Sequence, residues 1–483
     1  MALSVQPAGS AGLGPVTFSG LATGLNTQQI IQALLAPEQA IVQSYQAQEG
    51  QLTAQQTAWQ GIETDLQSLL SQTQALLAPQ AFQAMTASSS NPGVLSATAQ
   101  PGAPAGSYSL SVTQLAQAQE SVSSGSASDP NALVFGTGTL TIQVGSSSPV
   151  TVTIGSGQNS LTGIAAAINA AGAGVTASVI NTGSAYQLLV SGAATGSANA
   201  FTITDSLSGG TAALGPFSTI QAAQNATLTL GSGAGALTVS SPSNSVTSLL
   251  PGVTLQLAGV GSATVTVSPD VQALTSLVQG WVSAYNQVAK DLATQDSYNT
   301  TTQQPGGPLF GSPLLDLIGR TLASAASATV PSAPPSMTSL GMVGITMNSD
   351  GTLSVNTATL QAALSQNPQG VGALLQGIAN DLLPGLQGLE APVTGAVPQA
   401  ITALQTEEQN VQNTIAALQQ QITQEQQTLQ QEFIAMEQAV SQSQGLGQLL
   451  YQFALSSLLT GLPASGAGVA SGSGTGASGT TVL

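Results

Sequence analysis

The 483 residues include two cations, Lys290 and Arg320, nineteen acids, and no histidine or cysteine, for a formal charge of -17. Only 4% of the chain is charged, where about 25% is usual. This composition excludes a basic groove for nucleic acid or anionic lipid, a Ser-His-Asp triad or Cys-His dyad, a histidine- or thiolate-bound metal, and any disulfide. Solubility rests on Gln, Ser, Thr and Asn. With so few titrating groups, the urea midpoint is expected to stay flat between about pH 3 and pH 7, as would suit an acidic exterior. The opening MALSVQPAGSAGLGPV has no cationic region and no sustained apolar run, so no cleaved signal is expected. No membrane span is expected either, because a spanning helix needs roughly 18 to 20 uninterrupted apolar residues. The nearest stretch, 446–462, is broken by Gln and Ser.

In chain order, Asn26 is a good helix N-cap, and Gln29 three residues later completes a capping-box pattern. Leu25 and Ile30 stand at staple spacing. Pro37 predicts a short first helix ending near Leu35 and a second one from Pro37 to Leu77. On the second, Val42, Tyr45, Leu52, Trp59, Ile62, Leu66, Leu69 and Leu76 form one stripe. A matching seam near the other terminus takes Leu404, Val411, Ile415, Leu418, Ile422, Leu429, Phe433 and Met436. The two stripes predict a terminal helix pair forming a coiled-coil stalk, with everything between them inserted. The plain reading is an intramolecular coiled coil; the functional reading is that these stripes also take part in assembly.

The middle alternates apolar and polar residues in short runs: LTIQV (140–144), VTVTI (150–154), YQLLV (186–190), FTITD (201–205), ATLTL (226–230), VTLQL (253–257) and ATVTV (263–267). These read as strands, with one helix at 161–172. Helical spacing returns at 273–293 and 314–325. GITMNSDGTLSV (344–355) reads as a hairpin around Asp350-Gly351, followed by helix from Asn356. Residues 463–483 are Gly/Ser/Thr-rich and expected to be disordered.

No arrangement supports catalysis. Glu63 with Asp65, and Glu407 with Glu408, would be candidate glycosidase carboxylates, but neighbours on a helix point different ways. GSGAG (231–235) lacks the lysine of a phosphate loop, and NSDGT has one acid where a calcium loop needs several. No catalytic residue, cofactor or metal site is expected.

Seven stretches resemble the flagellar filament cap family, hook-associated protein 2. SGLATGLNTQQIIQALLAPEQA (19–40) is similar to its opening, and SYSLSVTQLAQAQ (107–119) to the close of its N-terminal module. The run from SLTGIAAAINAAGAGVTASVI to SANAFTIT (160–204) resembles its hook-associated motif. NSVTSLLPGVTLQL (244–257), WVSAYNQVAK (281–290) and LGMVGITMNSDGTLSVNTATLQAAL (340–364) resemble its C-terminal module, and QQEFIAMEQAVSQSQ (430–444) its final helix. The chain departs from the family in charge, with Gln where family helices carry Lys, Arg and Glu.

The resemblance implies a structural, non-enzymatic cap at the distal tip of the bacterial flagellum. Such a cap is extracellular, exported by the flagellar type III route, and promotes flagellin polymerisation and filament elongation while preventing flagellin leakage. Its partners would be further copies in a ring of about five, flagellin, the hook–filament junction proteins and a flagellar export chaperone. The expected fold is α+β, elongated and multidomain. Its parts are a flexible leader (1–25), leg helices (26–80) paired with a coiled-coil leg (400–462), a mixed leg domain (81–120 plus 266–399), a β-rich head (121–265) and a disordered tail (463–483). A different class also fits polar β-rich domains on a stalk: an extracellular adhesin binding mucin or other surfaces. A deletion mutant of an adhesin still swims; that of a cap does not.

Overall fold

The computed structural model describes residues 24–459. The expected leader over 1–25, apart from Gly24 and Leu25, and the expected tail over 463–483 lie outside the described residues. The fold is α+β and multidomain, with two compact units. One takes residues up to Ala58 and from Ala400; the other takes Trp59–Gln399.

The first helix, α1 (Thr27–Leu77), is continuous through Pro37, against the expected break. A proline inside a helix leaves the carbonyl four residues earlier unpaired. Here Ala33, Ala36 and Pro37 all lie exposed, where water can take that carbonyl. Buried Ile31, Leu35 and Val42 on the opposite face hold the helix on both sides of the proline. Asn26 caps it, its Oδ1 accepting from the Gln29 N–H at 3.2 Å.

Within the larger unit the strands build two separate cores. A five-stranded sheet runs in the order Met85–Ser89, Gly261–Pro269, Gly106–Gln114, Ala226–Leu230, Leu237–Ser241. It shares a core, including Leu110, Leu228, Leu255 and Val265, with the three-stranded sheet Ser245–Leu250, Val253–Leu257, Leu95–Ala99. Residues 85–114 therefore pack with 226–269. The sequence expectation instead groups 81–120 with 266–399 and 226–265 with the head.

The second β core lies between a four-stranded sheet (Phe217–Gln221, Glu120–Ala127, Tyr186–Gly192, Val175–Asn181) and a three-stranded one (Val150–Ile154, Thr137–Val144, Phe201–Ser208). The helix α2 (Leu161–Ala170) adds Leu161, Ile164 and Ile168 to it. Ser160 caps α2 by accepting from the Gly163 N–H. All seven strands and the helix expected from alternation in the middle of the chain form as read.

After Pro269 come α3 (Val271–Gln295), α4 (Pro313–Ser327), the hairpin Ile345–Met347 with Leu353–Val355, α5 (Thr357–Gln366) and α6 (Pro368–Glu390). Asp270, Asn356 and Asn367 cap α3, α5 and α6 through their side-chain oxygens. The last helix is α7 (Ala396–Leu459).

A chain so poor in charge ties distant segments together with amides. Asn244 exchanges two hydrogen bonds with the backbone of Ala116, at 2.7 and 3.0 Å. Gln119 does the same with Phe201, Asn169 with Ala177, and Asn286 with Leu353. Each amide offers one donor and one acceptor, so it satisfies a peptide group as a neighbouring strand would.

Candidate functional site

In the smaller unit, α1 and α7 meet along an apolar seam. Val42, Val411 and Ile415 are buried together, with Tyr45, Leu52, Leu418 and Ile422 half-buried around them. Beside the seam sits a polar layer. Gln412 Nε2 donates to Glu49 Oε1 at 2.9 Å and to Glu408 Oε1 at 3.4 Å, and Thr53 Oγ1 donates to Glu408 Oε1 at 3.2 Å. Polar seam positions of this kind fix register at some cost in stability. Amides and hydroxyls serve the carboxylates here, where charged helices would use lysine or arginine.

Farther along α7 the seam opens. Leu429 and Phe433 are half-buried, as is Leu404 on the other side of the seam, and Met436 is exposed. Beyond Met436, Leu446, Leu449, Leu450 and Phe453 stand at i, i+3, i+4 and i+7, one helix face. All four are exposed, Phe453 at 73%. The sequence reading weighed this stretch as a membrane span and passed over its helical periodicity, the signal that marks it as an amphipathic face. No described helix is long and apolar enough to cross a membrane.

The other half of the α1 stripe has a different fate. Trp59, Ile62, Leu66, Leu69 and Leu76 are buried in the larger unit, the last three fully so. Thr73 on the same helix accepts a hydrogen bond from Trp281 Nε1 at 3.2 Å, and the Leu76 carbonyl accepts from Gln376. Trp281 packs on Tyr285 with ring centroids 5.9 Å apart. These residues are domain core, and the stripe that sequence spacing makes continuous is split between two tasks.

The acids do not converge on a reaction centre. Glu63 faces Glu390, and Asp65 faces Asp291, so the two side chains once paired on paper point to different helices. Burial, then the facing Glu63, pushes Glu390 up to about 7, and neither of its buried carboxyl oxygens has a hydrogen-bond partner. Burial and Asp291 push Asp65 up to about 6, against a hydrogen bond from Gln287. Burial and Glu425 raise Glu38. Hydrogen bonds from the Thr352 hydroxyl and N–H hold Asp350 below the usual range, as suits a tight turn with Gly351 at φ 80°. Burial pushes the Tyr285 phenol up to about 12. Among the described residues, no group of three or more metal-ligating side chains gathers. GSGAG links two paired strands as a hairpin loop.

Two family models cover most of the described chain: flagellar hook-associated protein 2 N-terminus over residues 23–119, and its C-terminus over 223–445. The flagellar hook-associated protein 2 of Escherichia coli K12 is 32% identical over 75% of this chain and 80% of its own. The B-type flagellar hook-associated protein 2 of Pseudomonas aeruginosa PAO1 is 31% identical over 61% of this chain and 67% of its own. The crystal structure of the flagellar cap protein D1-D2-D3 domains from Escherichia coli superposes with a TM-score of 0.57 at 31% identity. It covers 72% of this chain and 99% of that one. The chain belongs to the flagellar hook-associated protein 2 family.

Proposed function

We propose that this protein caps the distal end of the bacterial flagellum, outside the cell. There it forms an oligomeric plug that retains flagellin and guides its polymerisation as the filament elongates. The family is structural, not enzymatic. The observation that carries the reading is the passage along α7 from a covered seam at Val411–Ile422 to an open apolar face at Leu446–Phe453. A helix buried at one end and bare at the other is suited to dock into an assembly while its root stays folded.

On this reading α1 up to Ala58 and α7 from Ala400 act as legs, and the seam residues Val42, Tyr45, Leu52, Val411, Ile415, Leu418 and Ile422 hold each leg together. The open face engages flagellin or neighbouring copies in a closed ring of about five. The β domains contribute the plate, and 266–399 the body behind it. Hook–filament junction proteins would be met on the way to the tip, and an export chaperone before secretion by the type III route. Resemblance to the cap from Escherichia coli supports this.

Deleting the gene is expected to leave cells without filaments and shedding monomeric flagellin, restored by the full chain in trans. Cells that still grow filaments and swim would overturn the capping role and favour an adhesin.

A further inference from the structure

Lys290 is the chain's only lysine, and it makes no ion pair among the described residues, where Arg320 with Asp316 is the single pair. It stands on α3 with Gln279, Ser283 and Gln287, at i, i+4, i+8 and i+11, one face of the helix. All four side chains are exposed. They line a groove of about 310 Å³ together with Leu353 and Val355 of the hairpin, and Lys290 is the only charged side chain on it. Helix and hairpin both belong to the larger unit.

The register of the hairpin decides what its strand offers to the groove. The Asn348 N–H donates to the Thr352 carbonyl and the Asn356 N–H to the Gly344 carbonyl, both at 2.8 Å. Bonded positions alternate along an antiparallel pair, so Ser354 bonds across to Thr346, while the peptide groups of Leu353 and Val355 point away from that partner. Asn286 of α3 takes both groups of Leu353, at 2.6 and 2.7 Å. Two residues on, the N–H and carbonyl of Val355 find no partner among the described residues. Edge groups left open in this way are a template for another strand.

The polar side chains nearby leave capacity to spare. Gln279 Nε2 reaches Thr357 Oγ1 only at 3.5 Å, and Gln287 Nε2 reaches Asp291 Oδ1 only at 3.4 Å. Asp350, across the groove's end from Lys290, is already held by the Thr352 hydroxyl and N–H at 2.6 and 3.0 Å. The groove thus joins one backbone donor and one backbone acceptor to an ammonium that no carboxylate has claimed. Its volume lies at the small end of ligand clefts, about 300–1,000 Å³, which suits a short length of chain and not a folded surface.

We propose that this groove binds a short, extended, acidic segment of another polypeptide, paired through its backbone with Val355 and placing a carboxylate at Lys290. Backbone pairing gives affinity that tolerates many sequences, and the side-chain contact gives selection. Charge sets the kind of segment: the groove carries one positive group in a molecule of nineteen acids and two cations. The site stands independently of the capping role.

The test is fluorescence anisotropy of the labelled peptide acetyl-Thr-Val-Glu-Val-Thr-amide with the full chain at pH 7 and low salt. The glutamate peptide is expected to bind about two- to fivefold more tightly than its glutamine counterpart, and Lys290→Gln to erase that preference. Val355→Pro removes the open N–H without touching a hairpin bond. It is expected to weaken both peptides about two- to tenfold, with an unchanged urea midpoint showing that the fold is kept. Hydrogen exchange of the wild type needs no variant: the Val355 amide is expected to exchange fast in the free chain and to slow when peptide is added. No binding at millimolar peptide, equal binding of the two peptides, a preference that survives Lys290→Gln, or a Val355 amide that peptide leaves fast would each overturn the proposal. So would full competition by acetate at the peptide's own concentration, because the groove would then take a lone carboxylate and no strand.

Discussion

The two halves of α1 carry the same apolar rhythm and put it to different use. Up to Ala58 the stripe faces one other helix, and its central residues Tyr45 and Leu52 remain half-exposed. From Trp59 onward the stripe is sealed inside a domain, with Leu66, Leu69 and Leu76 fully buried and a buried Trp281–Thr73 hydrogen bond beside them. Periodicity states that a face will be covered; it does not state how many elements cover it. A seam between two helices can part and re-form, whereas a domain core yields only when the domain unfolds.

The sharpest way to break this contrast is to cut the same kind of atom from each half. Leu69→Ala removes fully buried methyls and is expected to cost about 2–5 kcal/mol in urea unfolding. Ile415→Ala, at the more open seam, is expected at or below the bottom of that range, about 2 kcal/mol. Its effect should appear as faster amide exchange in α7 ahead of any global transition. Equal costs at the two positions would mean that seam and core are energetically alike.

Asn286→Ala removes a bidentate clamp on Leu353, leaving a peptide N–H and C=O of the hairpin without that partner, and should cost about 1–3 kcal/mol. A loss within a few tenths would show that water replaces the amide freely. Asn26→Ala at the N-cap of α1 is expected to cost about 1 kcal/mol, confined to the first turns and read by exchange there. The smallest effect expected is that of salt. With one exposed ion pair among the described residues, Arg320 with Asp316, assembly and unfolding should move little between low and high ionic strength. A steep salt dependence of ring formation would point to electrostatic contacts between copies.

The local elements were legible because their signals are local. Alternation in VTVTI or ATLTL, the caps at Asn26 and Asn356, and the Asp350-Gly351 turn each act within a few residues. What stayed hidden depends on distant partners. Nothing in SYSLSVTQL says that its strand lies between Ala226–Leu230 and Gly261–Pro269, or that Ala116 will be held by Asn244, 128 residues away. Pro37 was read by its local cost alone, which buried neighbours on the other face outweigh. Likewise, Glu63 and Asp65 were read by their spacing on one helix, and that they lie near Glu390 and Asp291 of other helices depends on distant partners. Of the proposed assembly surface, the covered seam was visible as heptads. The open face at Leu446–Phe453 was missed because its hydropathy was weighed before its period.

The account turns on that open face being an assembly surface, free of any role in holding the chain folded. The direct measurement is filament growth in cells carrying Leu450→Glu with Phe453→Glu, alongside the circular dichroism and urea midpoint of the purified variant. The expected result is an unchanged fold and midpoint, no filaments, and flagellin shed into the medium. Filaments of normal length on such cells would contradict it.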